Sequence, residues 1–142
     1  MAKRRMMLLL LPLLLLLSGC PKDPYRAALQ GSADVSQAVS SAIKITTSYY
    51  TAGTIDDKKK AQVASVLDVV TNCNTVFRKS IVNTHNSGQT IKQSFLPIAD
   101  SFVHCAQITP QVMNDPSVTN ILKAVDTAIN GVSLAISNAK GN

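Results

Sequence analysis

The side chains of this chain best able to act as nucleophiles, bases or metal ligands are those of three cysteines, two histidines and eight acidic residues, all aspartate, since there is no glutamate. Cys20 follows an apolar run and two small residues, Cys73 and Cys105 stand inside amphipathic stretches, and His85 precedes an Asn-Ser-Gly turn signal. His104 lies beside Cys105, so a Cys/His nucleophile or a metal site can be drawn from that pair. Neighbouring residues on a helix point about 100° apart, however, and the two side chains do not converge on one ion or substrate. Asp100 and His104 are four apart on one face, a spacing that can orient an imidazole for base catalysis but more commonly serves an exposed pair. Paired-carboxylate catalysis would have to rest on scattered aspartates. Asp56 and Asp57 are adjacent at a helix start, where capping and the helix dipole account for them. The sequence holds no glycine-rich phosphate loop, nucleophile elbow, zinc-ligand pairing or calcium loop. The expectation is a noncatalytic protein with no catalytic residue, no metal and no cofactor.

The first residues read as an export signal. Lys3, Arg4 and Arg5 precede an apolar run from Met6 to Leu17, which ends in Ser18, Gly19 and Cys20. A basic segment, a short apolar segment and small residues at a cleavage point form the order of a secretory signal peptide. Twelve residues (6 to 17) make roughly 18 Å of helix, short of the about 20 apolar residues needed to span a bilayer. Leu17-Ser18-Gly19-Cys20 resembles the lipobox of bacterial lipoproteins. The resemblance implies that the Cys20 sulfur receives diacylglycerol and that signal peptidase II cleaves between Gly19 and Cys20. A thiol is required because it is the nucleophile that takes the lipid. Two or three acyl chains of the palmitate type make anchoring effectively permanent, at about 0.8 kcal/mol per buried methylene. The resemblance covers the first 20 residues. In Gram-negative lipoproteins an aspartate directly after the cysteine signals retention in the inner membrane; Pro21 stands there, which favours an outer-membrane anchor facing the periplasm.

Cleavage leaves residues 20–142, and removing three of the 14 basic residues lowers the net charge from +6 to about +3. The modest excess is clustered only at Lys58-Lys59-Lys60. There is no arginine-rich stripe and no tryptophan, which argues against nucleic-acid binding. The lysine run is available to anionic headgroups or an acidic partner, and more often such a run is simply the solvated start of a helix. The expected organisation is a signal peptide over 1–19, a lipidated tether over 20–24 and one helical domain over 25–142.

Four segments of that domain carry apolar residues at three- and four-residue steps. The first runs from about Pro24 to Tyr50 with Ala28, Val35, Val39, Ala42 and Tyr49 on one stripe, and Leu29, Ile43 and Ile45 beside it. The second starts from a cap at Thr54 or Asp56, carries Val63, Val66, Val70, Cys73, Phe77 and Ile81, and stops near Asn86-Ser87-Gly88. The third, about Gln89 to Gln107, repeats Ile91, Phe95, Ile98, Phe102 and Cys105, with Pro97 expected to kink or divide it. The fourth is capped by Asp115 with Pro116 at its first position, and carries Val118, Leu122, Val125, Ile129, Val132 and Ile136. Short connections make these a four-helix up-and-down antiparallel bundle, an all-α fold.

If helices two and three turn near Gly88, then Cys73, 15 residues before it, and Cys105, 17 after, stand at nearly the same height. Both also fall on the apolar stripes. An exported chain can oxidise them, so a Cys73–Cys105 disulfide is expected, worth about 3.5 to 4 kcal/mol on the loop-entropy model. Two buried free thiols are the alternative, since cysteine also serves as a small hydrophobe.

Serine, threonine and asparagine replace the charged residues that usually coat soluble helices, as at Ser32, Ser36, Ser40 and Thr47, or Ser133 and Ser137. Weakly charged faces of this kind suit partner-helix packing or self-association, and equally a simple monomer. The leading functional expectation is a lipid-anchored envelope protein with a binding or structural role toward an unidentified envelope partner. One alternative is a small apolar ligand carrier with a cavity lined by Phe77, Phe95 and Phe102. Another is a phage- or plasmid-derived lipoprotein of lysis or exclusion.

Overall fold

A computed structural model describes residues 23–140. The expected signal peptide, the Gly19–Cys20 cleavage site, the lipidation of Cys20 and most of the tether lie outside the described residues, as do residues 141 and 142. Four α-helices follow in chain order: α1 (Pro24–Thr51), α2 (Asp57–Asn86), α3 (Lys92–Ala106) and α4 (Pro116–Asn138), with a short 3₁₀ turn at Val112–Asn114 before the last. No strand occurs among the described residues. The fold is all-α, with the expected four helices.

The chain starts and stops these helices with local chemistry. Asp23 caps α1 by accepting a hydrogen bond from the Tyr25 amide at 2.9 Å, and Pro24 takes the first position, where no amide donor is needed. Asp56 caps α2 through the Lys59 amide at 2.8 Å, and Asp115 caps α4 through the amides of Ser117 and Val118. Gly53 and Gly88 close the first two helices in the left-handed conformation, at φ 71° and 83°, with Thr54 N–H and Gln89 N–H reaching back to the carbonyls of Tyr49 and Thr84. A side chain at either glycine would be strained.

The helices pack in a ring. α1 lies most extensively against α4 and next against α2, α2 against α3, and α3 against α4, while diagonal contacts are slight. That order and the short α1–α2 and α2–α3 connections give the up-and-down antiparallel bundle. The core is the set of inward stripes, among them Val35, Val63, Val70, Phe77, Ile81, Phe95, Leu122, Val125, Ile129 and Ile136. Gly31 lets α1 and α4 approach closely: a Cβ there would meet Val132 Cγ2 at 3.3 Å.

The third helix departs most from its sequence pattern. It begins at Lys92 rather than Gln89, because residues 89–91 are spent on the reversal after Gly88, and Ile91, the cap, is half exposed instead of leading the inner stripe. It also runs through Pro97 as one element. The proline lacks a single amide bond near the helix start, and the helix is not divided there. Its buried stripe is Phe95, Ala99, Phe102 and Ala106, so the alanines hold places that the larger Ile98 and Cys105 were expected to take. On α1, the same preference for large residues overlooked Ala27, Gly31, Ser32 and Thr46, all buried, whereas Ile43 is exposed.

α3 is short. Its 15 residues span about 22 Å, against about 45 Å for the 30 residues of α2. Helix propagation stops before Thr109-Pro110, since a residue preceding proline is pushed out of the α region. From there Gln107 to Asp115 continues along α2 as extended chain, turns and the 3₁₀ element, with Ile108 buried. One end of the bundle therefore has four helical corners and the other has three helices and this segment.

Candidate functional site

The two cysteines meet. Cys73 and Cys105 form a disulfide between α2 and α3 with a Cα–Cα distance of 5.9 Å and a separation of 32 residues. Matching heights along a hairpin bring them together as expected, but they are not both interior. Cys73 is buried, whereas Cys105 is exposed at the last turn of α3. The bond fastens the point where α3 ends. Beside it, Phe77 and Phe102 stack at 4.7 Å and form the floor of a half-open groove of about 240 Å³ with Val76 and Ile98 at its edges. Phe95 lines no part of this groove; it is buried and tilts toward Tyr25 at 6.2 Å.

The histidines do not form a site with the cysteines. His85 lies in the last turn of α2, and its ring stacks on Tyr25 of α1 at 3.8 Å and 7°. His104 is exposed on α3. Asp100 turns away from it and accepts a hydrogen bond from Ser133 Oγ of α4 at 3.0 Å, so the four-residue spacing serves an interhelix contact. Among the described residues no three His, Cys, Asp or Glu side chains gather as a metal set would require.

Two of the three lysines of the run are engaged within the fold. Lys59 forms an ion pair with Asp115 at 2.6 Å, and Lys60 sits 3.9 Å above the Tyr50 ring, whose hydroxyl donates to Asp57 at 2.7 Å. The hydrogen bond from Lys59 holds the Asp115 carboxyl below its usual range, helped by the amides it caps, and the same bond raises Lys59. The bond to the Asp57 carboxylate raises the Tyr50 hydroxyl. These groups occupy the end of the bundle opposite the start of α1, about 40 Å away along its 28 residues.

Nearer the start of α1 the polar chemistry is different. Asn74 is buried on the inner side of α2 and donates from Nδ2 to the Ser32 carbonyl and to Ser36 Oγ, both at 3.0 Å. Among the described residues its Oδ1 is buried with no hydrogen-bond partner, as are Ser32 Oγ and His85 Nδ1. Sequence reading placed Ser32 and Ser36 on a polar face and passed over Asn74. The available signal was its position four residues after Val70 and three before Phe77, on the core side of the helix.

No candidate membrane span exists among the described residues: no helix there is long and apolar enough to cross a bilayer. No family model matches this chain, and neither does any curated protein or solved structure.

Proposed function

We propose that the protein is a bacterial envelope lipoprotein, anchored through acylated Cys20, whose helical bundle acts noncatalytically by binding or supporting another envelope component. The observation that carries the reading is the order of residues before the bundle. A basic segment and a 12-residue apolar run end in Leu17-Ser18-Gly19-Cys20, and the Asp23 cap that starts α1 comes three residues later. So short a tether would hold the first turns of α1, the end of α2 and the end of α4 next to the lipid surface. The exported, oxidising compartment that such a signal implies is also one in which the Cys73–Cys105 bond persists. The half-open groove beside that bond, at about 240 Å³, is smaller than the roughly 300–1,000 Å³ of ordinary ligand pockets, which favours a binding surface over an apolar carrier.

The test is metabolic labelling with a fatty-acid probe in the wild-type chain and in Cys20→Ala, followed by affinity capture from gently solubilised envelopes. Label present in the wild type and lost in the variant is expected, with the captured component identifying the partner. Absence of label from the wild-type protein would overturn the anchored reading.

A further inference from the structure

The end of the bundle at which α1 starts is assembled from all four helices. Tyr25 at the start of α1 stacks on His85 at the end of α2 and tilts toward Phe95 near the start of α3. Lys92, the first residue of α3, donates from Nζ to the Ser137 carbonyl at the end of α4 at 3.0 Å. Each helix brings one cation to within two turns of this end: Arg26 on α1, Lys79 on α2, Lys92 on α3 and Lys140 just beyond α4. Arg26, Lys79 and Lys140 are exposed. Among the described residues of the same zone the only acidic one is Asp23, whose carboxylate is turned onto the Tyr25 amide. The opposite end also carries lysines, but they are interspersed with Asp56, Asp57 and Asp115, and Lys59 is held in an ion pair. Beside Lys92, on the connection from α2 to α3, Ile91 is 46% exposed.

We infer that this end of the bundle is a docking surface for an anionic phospholipid leaflet, the one in which the protein is anchored. The inference rests on the lipoprotein reading for what brings the end to a bilayer. With two residues between Cys20 and Asp23, an acylated Cys20 holds the cap of α1 within about 10 Å of the headgroups. Cations without acidic neighbours suit a negatively charged surface, where each adds its own attraction to the phosphates. Ile91 inserts at the boundary between headgroups and acyl chains, and the long stems of the lysines lie along that boundary with their ammonium groups in the headgroup layer. An acidic soluble partner would match the cations but would leave the exposed Ile91 and the adjacent lipid anchor without a use. Contact through all four helix ends stands the bundle upright, with Asp56, Asp57 and Asp115 about 40 Å from the negative leaflet.

The test uses the full mature chain, residues 20–142, exported behind an ordinary signal peptide with Cys20→Ser so that no acyl chain contributes to binding. It would be sedimented at low salt with vesicles of phosphatidylcholine alone or of phosphatidylcholine mixed equally with phosphatidylglycerol. Preferential binding to the anionic vesicles is expected, weakening as salt is raised. Arg26→Gln and Lys140→Gln should each reduce it by about fivefold, and Ile91→Ser by a similar factor. None of the three threatens the fold, because Arg26 and Lys140 are exposed and serine is a better helix cap than the isoleucine it replaces. Lys58→Gln, at the opposite end, should leave binding unchanged. Equal sedimentation with both kinds of vesicle, a loss in Lys58→Gln as large as in Arg26→Gln, or binding unaltered in the three variants would overturn the inference. Because the measurement needs no anchor, preferential binding here together with no acyl label on the wild-type protein would uphold the surface and count against the anchor alone.

Discussion

The two halves of the bundle differ in where their polar groups find partners. At the end where α2 and α4 begin, nearly every charged group described above has a partner within the chain: Lys59 with Asp115, Lys60 over Tyr50, Tyr50 on Asp57, and Asp56 on its own helix start. In the half that contains the start of α1, Asp23 and Asp100 are partnered as well, but among the described residues Arg78 and Lys79 carry no ion pair, and Ser32 Oγ and Asn74 Oδ1 are buried without a hydrogen-bond partner. The corners differ as well. Near the start of α1 the fourth corner is α3, with Tyr25, His85 and Phe95 packed together; at the other end it is the non-helical Gln107–Asp115 segment. Charges used in caps and ion pairs hold an irregular end together, whereas the regular helical half encloses polar atoms that find no partner among the described residues.

The disulfide offers the strongest way to break this comparison, because it sits where the helical corner gives way to the irregular one. Cys73→Ala with Cys105→Ala should lower stability by about 3.5 to 4 kcal/mol and the Tm by on the order of 10–15 °C. Hydrogen exchange should show protection falling first in Val112 to Asn114 and at the end of α3, with the turns around Tyr25 and His85 retained. Uniform loss of protection would mean that the two halves are one cooperative unit.

A smaller effect is expected from Asp115→Ala, which removes both the cap of α4 and the ion pair to Lys59. Thermal melting should fall by several degrees, and by more than for Asp23→Ala, which removes a cap with one amide bond. Equal losses would show that the far end gains nothing from its ion pair.

The smallest effect concerns pH. Asp115 has its pKa lowered by folding, so its contribution is present above the unfolded value and is lost as pH falls through the folded one. Lys59 has its pKa raised, so its contribution is present below the unfolded value and is lost as pH rises through the folded one. The pair acts across the range between them. Lys59→Gln should leave the Tm at neutral pH almost unchanged, since the pair is partly exposed, and should reduce the steepness of both the acid and alkaline limbs. Unaltered limbs would remove the pair from the account of the far end.

The path from sequence to site was uneven for physical reasons. The cap at Asp115, the start of α2 to within the two candidates Thr54 and Asp56, and the stop near Gly88 were legible because each acts within a few residues. The fourth helix was legible down to its stripe, Ile121 apart, because its inner residues are large and regularly spaced. On α3 the same reading selected Ile98 and Cys105 over Ala99 and Ala106, since residue size says which side chains can be buried but not which are. The histidines looked like candidates for chemistry, and packing made His85 a stacking surface for Tyr25.

Sequence alone determined the helix number and the up-and-down order and brought the two cysteines to one height, because helical periodicity, local stop signals and antiparallel geometry place residues at predictable heights. Only the tertiary structure decided how α1, α2 and α3 are rotated. Rotation is set by how neighbouring helices fit, through close approaches such as Gly31 to Val132, and the sequence of one helix carries no record of the shape it meets. That rotation turned Cys105 outward and Asn74 inward, where its amide donates to the Ser32 carbonyl and Ser36 Oγ of α1.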